Sequence, residues 1–325
     1  MIAPHGWIIL DKPVGLGSTQ AVAAVKRNLR EAGYGKVGHG GTLDPLASGV
    51  LPIALGEATK LCGRMLLYDK DYEFTVRFGA ETDTLDAEGS IVEQSDFRPI
   101  QAEVEAVLSQ FQGAIAQRPP AYSALKVDGK RAYDRARAGE TVELAQRQVY
   151  ITRLFTTRMV RCGATEDEIA YDLYPDDTIV PRGELELDSM TFMASVSKGT
   201  YIRSLARDIA RASGTFGYVT MLRRVCAGPF GLNWAISLDK LNEIGKGAPL
   251  EGILAPTEKG LEGIPVLNLS PDQARAVKHG QFLTGLALPD GVCWARYRNS
   301  PLALLHVERG NARVERGFNF PDAPE

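Results

Sequence analysis

Residues 38 to 49 read Gly-His-Gly-Gly-Thr-Leu-Asp-Pro-Leu-Ala-Ser-Gly: twelve positions holding four glycines, one imidazole (His39) and one carboxylate (Asp44). Glycines let a backbone pass close to a ligand, and a proline confines the residue before it to extended conformations, so Pro45 holds Asp44 on a stiff backbone. A carboxylate held this way suits nucleophilic or electrostatic work at an electron-poor carbon. On its own, an Asp-Pro pair among glycines is an ordinary turn. The rest of the chain decides between the two.

The net charge of -3 over 325 residues conceals an uneven distribution. Residues 118 to 153 hold eight Lys or Arg against four acids, and residues 198 to 224 hold six against Asp208. Between them, residues 163 to 190 hold nine acids against Arg182 and mask both basic segments in the total. Segments of this kind suit phosphates, so the balance does not exclude a nucleic-acid partner. Cys62, Cys162, Cys226 and Cys293 form no Cys-x-x-Cys pair and the four histidines are scattered, so neither a metal cluster nor a disulfide framework is expected. No basic start with an apolar h-region is present, and no apolar run approaches the roughly 20 residues of a membrane span, which points to the cytoplasm.

The elements that must position these residues mix both periodicities. Trp7-Ile8-Ile9-Leu10 reads as a short strand, followed by a helix that Ser18 or Thr19 can cap, with Val22, Val25 and Leu29 on one face. Leu51 to Leu55 reads as a buried segment after the glycine loop. Tyr72, Phe74, Val76 and Phe78 alternate with polar residues as a half-buried strand requires, and Ile100, Val104, Val107, Leu108 and Phe111 form a helical stripe. Phe192 to Val196 predicts a strand running into Ser197-Lys198-Gly199-Thr200-Tyr201-Ile202-Arg203 and then a helix ending at Gly214. The mixture indicates an α+β fold: a mixed, largely antiparallel central sheet flanked by helices and loops. Residues 1–245 are expected to form the catalytic domain and 246–263 a linker. Residues 264–325 are expected to form a small β-rich module with strands at Cys293 to Tyr297 and Ala303 to Val307.

Four blocks in order, Gly38 to Leu51, Asp69 to Tyr72, Pro119 to Lys126, and Ser197 to Arg203 with Leu222-Arg223-Arg224, resemble the bacterial TruB family of tRNA pseudouridine-55 synthases. The resemblance implies a pseudouridine-synthase fold and the isomerisation of a T-loop uridine of transfer RNA, without cofactor or metal. It assigns the catalytic roles to Asp44, Tyr72 and Arg203: the carboxylate acts on the sugar or the base, Arg203 orients it, and Tyr72 lies against the target base. Flipping a base out of an RNA loop costs a few kcal/mol, and His39 would brace the opened space. Lys12, the Tyr201 backbone and Leu222 would line the base pocket. Lys126, Lys130, Arg131, Lys198, Arg223 and Arg224 would meet phosphates of the T-arm, contacts that set affinity more than sequence choice. The 264–325 module resembles, less specifically, a PUA-like RNA-binding domain. Transfer RNA is the one partner implied, with no membrane and no protein partner, and a monomer is expected.

Two other readings fit parts of the pattern. A catalytically silent RNA-binding module would explain the basic segments but leaves Asp44 on its rigid loop without a purpose. A hydrolase with an aspartate nucleophile would use Asp44 but release free uracil.

Overall fold

The computed structural model describes residues 4–320 except 31, 32, 34, 128, 143, 163–184 and 247–251. Most of the acidic stretch at 163 to 190 therefore lies outside the described residues. The larger part of the chain is built from β1 (Gly6–Lys12), α1 (Ser18–Asn28), β2 (Val37–His39), β3 (Ser48–Leu55), β4 (Lys70–Phe78), α2 (Gln101–Leu108), β5 (Gly113–Gln117), β6 (Arg147–Arg161), β7 (Leu187–Val196), α3 (Ile202–Ala212), β8 (Gly217–Ala227), α4 (Leu238–Ile244) and β9 (Leu254–Ala255). The strands form a ten-stranded sheet in the order β9-β1-β3-β8-β4-β7-β6-β5, with β2 added on β3 and Phe230–Gly231 on β8. Every pairing is antiparallel except β3 with β8. The expected α+β class with a mixed, largely antiparallel sheet is what the chain adopts.

The apolar runs at 7–10 and 50–55 become strands covered on both faces, so alternate residues enter different cores. Ile8, Leu10, Leu51, Ile53 and Leu55 join the core under the helices, with Val25 of α1, Ile202, Leu205 and Ile209 of α3, and Leu241 of α4. Trp7, Ile9, Val50 and Ala54 pack on the opposite face with Leu61, Met65 and Phe230. Burying each such side chain contributes about 1.5–3 kcal/mol, which is why the sheet is a rigid platform for the loops at its edge.

The N-terminus of α1 differs from expectation. Gly17 is the N-cap, its N–H donating to Gln20 Oε1 at 2.8 Å. Ser18 turns inward: its Oγ donates to the Leu43 carbonyl at 3.0 Å and accepts from the Leu43 N–H at 2.8 Å. The hydroxyl expected to cap the helix ties it to the glycine loop, since two backbone groups of that loop would otherwise be buried unpaired.

The C-terminal residues form a second sheet, β10 (Val266–Asn268), β11 (Gly291–Tyr297), β12 (Ser300–Glu308) and β13 (Asn311–Gly317) in that order, with α5 (Pro271–Lys278) between β10 and β11. The β13 strand adds to the expected strand pair; its exposed positions are Asn311, Arg313, Glu315, Arg316 and Gly317. Trp294, Leu304 and Phe318 join the same core as Trp7 and Ile9, so this sheet packs directly on the larger one. The stretch read as a linker contributes β9, which pairs with β1 at Trp7 and Ile8. Among the described residues, no helix is long and apolar enough to cross a membrane.

Candidate active site

The glycine loop connects β2 to β3, which pair as a hairpin with His39 opposite Ile53. At its far end β3 runs parallel to β8, Ser48 beside Arg223 and Gly49 beside Arg224. Gly49 has φ +99°, and a Cβ there would lie 2.2 Å from the Arg224 carbonyl oxygen, so only glycine allows this approach. That contact brings Asp44 over the part of β8 that carries Leu222 and Arg224.

Three more ties hold the loop. The Gly15 N–H donates to the Pro45 carbonyl at 2.8 Å. The Lys12 ammonium donates to the carbonyls of Pro13 (2.9 Å), Leu16 (2.6 Å) and Pro45 (3.4 Å). The Arg224 Nε donates to Val50 O at 2.7 Å and its Nη1 to Thr42 O at 3.3 Å. Lys12 and Arg224 therefore depart from their expected places. Lys12 is fully buried and does not line the cavity; Arg224, expected to face RNA phosphates, is 1% exposed beneath the loop. The two cations donate to two carbonyls of the loop, Thr42 and Pro45, and to those of Pro13, Leu16 and Val50 beside it. Burial pushes the Lys12 ammonium down to about 8 although Asp44 opposes the shift, and burial with the Arg224 charge pushes Lys70 down to about 8.

Asp44 projects into a cavity of about 590 Å³, within the roughly 300–1,000 Å³ range of small-molecule sites. Its carboxylate is 43% exposed, and Arg203 Nη2 lies 2.8 Å from its Oδ2. Arg203 is held on its other side by Asp86, whose Oδ2 is 3.2 Å from Nη1, and by the carbonyls of Thr84 (2.8 Å) and Tyr122 (3.0 Å). Asp86 is only 4% exposed, so one buried guanidinium bridges a buried carboxylate and an exposed one. The Tyr122 contact gives the Pro119 to Lys126 block its position beside the site.

Tyr72 lines the cavity opposite Arg224 in the β4–β8 register, its hydroxyl 3.5 Å from Arg224 Nη1. Leu222 lines the same wall and is 7% exposed. Arg224 Nη2, buried at this wall, has no hydrogen-bond partner among the described residues. Tyr201 lines the cavity too, but its backbone is engaged within the protein. The N–H donates to Gln117 Oε1 at 2.8 Å, and the carbonyl accepts from Gln117 Nε2 at 3.1 Å and from the Leu205 N–H at 3.1 Å.

The remaining residues singled out from the sequence are more dispersed. His39 is half-buried at the end of β2, outside the cavity lining, with Nδ1 unpartnered among the described residues. Lys198 is exposed at the cavity rim. Lys126 and Lys130 are exposed on a hairpin in which Lys126–Val127 pairs with Lys130–Arg131. Arg223 is half-buried in a bidentate pair with Asp11, at 2.8 and 3.0 Å, so its charge is already matched.

Sequence reasoning passed over Asp86, Gln117, Lys70 and Arg147. At Leu85 the backbone takes φ +64° and Asp86, next to it, is buried. Gln117 ends the strand Gly113–Gln117, just before Arg118-Pro119-Pro120, and nothing in that local sequence marks its amide as buried. Arg147 was counted as one more basic residue, yet it lines the cavity, with its guanidinium 4.6 Å from the Tyr201 ring centroid.

Comparison with known proteins shows the family. Residues 26–170 match the profile of the TruB family pseudouridylate synthase N-terminal domain, and residues 203–262 match the tRNA pseudouridylate synthase B C-terminal domain. The chain is 60% identical over 322 residues to a tRNA pseudouridine synthase B of Novosphingobium aromaticivorans, covering 98% of this chain and 99% of that one. It is 54% identical over 320 residues to the enzyme of the same name from Zymomonas mobilis, with 98% and 97% covered. Among solved structures, a protein of an H/ACA RNP bound to a substrate RNA containing 2′-deoxyuridine shares the fold (TM-score 0.69, 23% identity, 98% of this chain and 87% of that one). So does a chain of the archaeal box H/ACA sRNP Nop10-Cbf5 complex (TM-score 0.68, 24% identity, 98% and 88%). The chain belongs to the TruB family of pseudouridylate synthases.

Proposed function

We propose that this protein isomerises the T-loop uridine at position 55 of transfer RNA to pseudouridine. The observation that carries the reading is the pair of Asp44 and Arg203: an exposed carboxylate on a glycine loop, oriented at 2.8 Å by a guanidinium that is itself 7% exposed and fixed from behind. Charge-assisted hydrogen bonds of this kind fix direction as well as charge. In the reaction the N1–C1′ bond breaks, the uracil turns, C5 bonds to C1′, and the proton on C5 is lost while N1 gains one. Asp44 acts on the sugar or the base during this exchange. Tyr72 packs against the base and is the group nearest to take part in proton transfer, and Leu222 closes the apolar wall.

The uridine must first leave its loop, and His39, next to the cavity loop, is the residue to brace the space vacated. Lys126, Lys130, Arg131 and Lys198 face the T-arm phosphates, and the C-terminal sheet serves as a PUA-like RNA-binding module. Arg224 leaves that group: its place beside Tyr72 makes it part of the pocket. The Tyr201 backbone reaches the base edge only where Gln117 shares one of its bonds. The protein works in the cytoplasm, where its substrate is, and as a monomer.

The test is release of tritium from C5-labelled uridine in a T-arm hairpin. Asp44→Asn should abolish release while RNA binding survives; unchanged turnover would sink the assignment. Chromatography of the digested product separates the isomerase from a hydrolase, which would yield free uracil.

A further inference from the structure

We infer that Gln117 and Arg147 form a cross-strand clamp that sets the start of α3 and so aims Arg203 at Asp44. Gln117 is thereby a positioning residue for the reaction proposed above, and the inference rests on that reading.

Tyr201 is the N-cap of α3 and receives no side-chain capping bond of the usual kind. Helix starts are ordinarily fixed by such a bond, because the first N–H groups have no partner within the helix. Here the N-cap residue itself is fixed instead, by Gln117 from a neighbouring strand. Its amide takes the Tyr201 N–H at 2.8 Å and gives a hydrogen to the Tyr201 carbonyl at 3.1 Å, so both peptide groups flanking one Cα are fixed by one planar side chain. Gln117 is 0% exposed, and a buried amide is retained only where its hydrogen bonds are met.

Arg147 sits directly opposite Gln117 in the antiparallel pairing of β5 and β6. Its guanidinium stacks on the Tyr201 ring, and its Nη2 donates to the Gly199 carbonyl. One cross-strand pair thus holds the 197–201 wall from backbone and ring together. A third tie lies one turn along, where Arg207 Nη2 donates to the Arg118 carbonyl at 3.3 Å. Arg203 is two residues beyond Tyr201, and its guanidinium must meet Asp44, Asp86 and two carbonyls at once. A misplacement near 1 Å is enough to cost about 100-fold in rate.

The experiment compares single-turnover pseudouridine formation and RNA affinity for Gln117→Leu, Arg203→Lys and the double variant on a T-arm stem-loop. Gln117→Leu should slow the reaction about 10- to 100-fold with RNA affinity nearly unchanged. In the Arg203→Lys background it should change the rate by less than about threefold, because the group it aims is gone. Losses that multiply in full, a loss confined to affinity, or an unchanged rate would each overturn the clamp. Should Gln117→Leu fail to fold, Gln117→Glu carries the comparison. It keeps the acceptor for the Tyr201 N–H, and its activity should recover as the pH falls, since the protonated acid again donates to the Tyr201 carbonyl; a flat profile overturns the proposal. Wild-type protein that forms no pseudouridine would overturn the functional reading instead. A crystal structure of Gln117→Leu reads the clamp without turnover: the 2.8 Å Arg203–Asp44 contact should be lost.

Discussion

Replacing Asp86 with asparagine separates charge from shape at the back of the site. Asp86 Oδ1 accepts from Thr84 Oγ1 at 2.6 Å and from the Glu88 N–H at 3.0 Å, while Oδ2 faces Arg203 at 3.2 Å. Asparagine has one acceptor oxygen. Either it keeps Thr84 and Glu88 and turns an amide N–H toward the guanidinium, or it keeps Arg203 and orphans the other two. One buried unsatisfied group costs about 1–3 kcal/mol. The roughly 3–5 kcal/mol typical of breaking a buried pair is not reached, because Asp44 and two carbonyls still hold Arg203. Taking about 2 kcal/mol, and about 2.1 cal/mol/K per residue of unfolding entropy over 325 residues, the melting temperature falls by about 3 °C.

The rate should fall much further. A guanidinium freed on one side holds Asp44 less firmly, and weakening that charge-assisted bond by about 1.5–3 kcal/mol lowers the rate of isomerisation about 10- to 160-fold. Calorimetry gives the first number, tritium release under single-turnover conditions the second, and filter binding of the stem-loop a control expected to stay constant. A folded Asp86→Asn enzyme with wild-type rate would refute the argument that Arg203 needs both carboxylates. A rate loss matched by an equal affinity loss would place Asp86 in RNA binding instead.

Gly49→Ala should abolish soluble, active enzyme or cost more than about 3 kcal/mol, since φ is +99° and the new Cβ would sit 2.2 Å from the Arg224 carbonyl; a near-normal denaturation midpoint would contradict it. Lys12 is held at about 8 when folded against an ordinary lysine value of 10.5, so between those values the unfolded chain carries a proton the folded chain has released. Stability from this group therefore rises with pH across that window, and wild type should gain on Lys12→Met between about pH 8 and pH 10.5; a fall would reverse the sign. If Lys126 and Lys130 meet phosphates, their double alanine variant should lower the slope of log affinity against log salt by about 1.4–1.8, with the rate at saturating RNA unchanged; an unaltered slope removes them from the interface.

Much of this protein was legible in its order of residues. The alternation at 72–78 and the helical stripe at 202–209 report burial of one face, and the continuous apolar runs at 7–10 and 50–55 report burial of both. Asp44, Tyr72, Leu222 and Arg203 stood out because their blocks resemble those of the TruB family, and the fold brings those four side chains to one cavity. Other roles depend on contacts between residues far apart in the chain. Lys12 and Arg224 look like surface cations until the loop carbonyls they serve are placed above them. Nothing local marks Asp86, which is buried next to Leu85 at φ +64°, or Gln117, whose amide the β5–β6 pairing sets against Tyr201. The sequence by itself determined which groups could react. Tertiary structure alone decided which buried partners hold those groups in line, because a buried polar side chain answers to the unpaired donors and acceptors around it, and sequence spacing does not encode that neighbourhood.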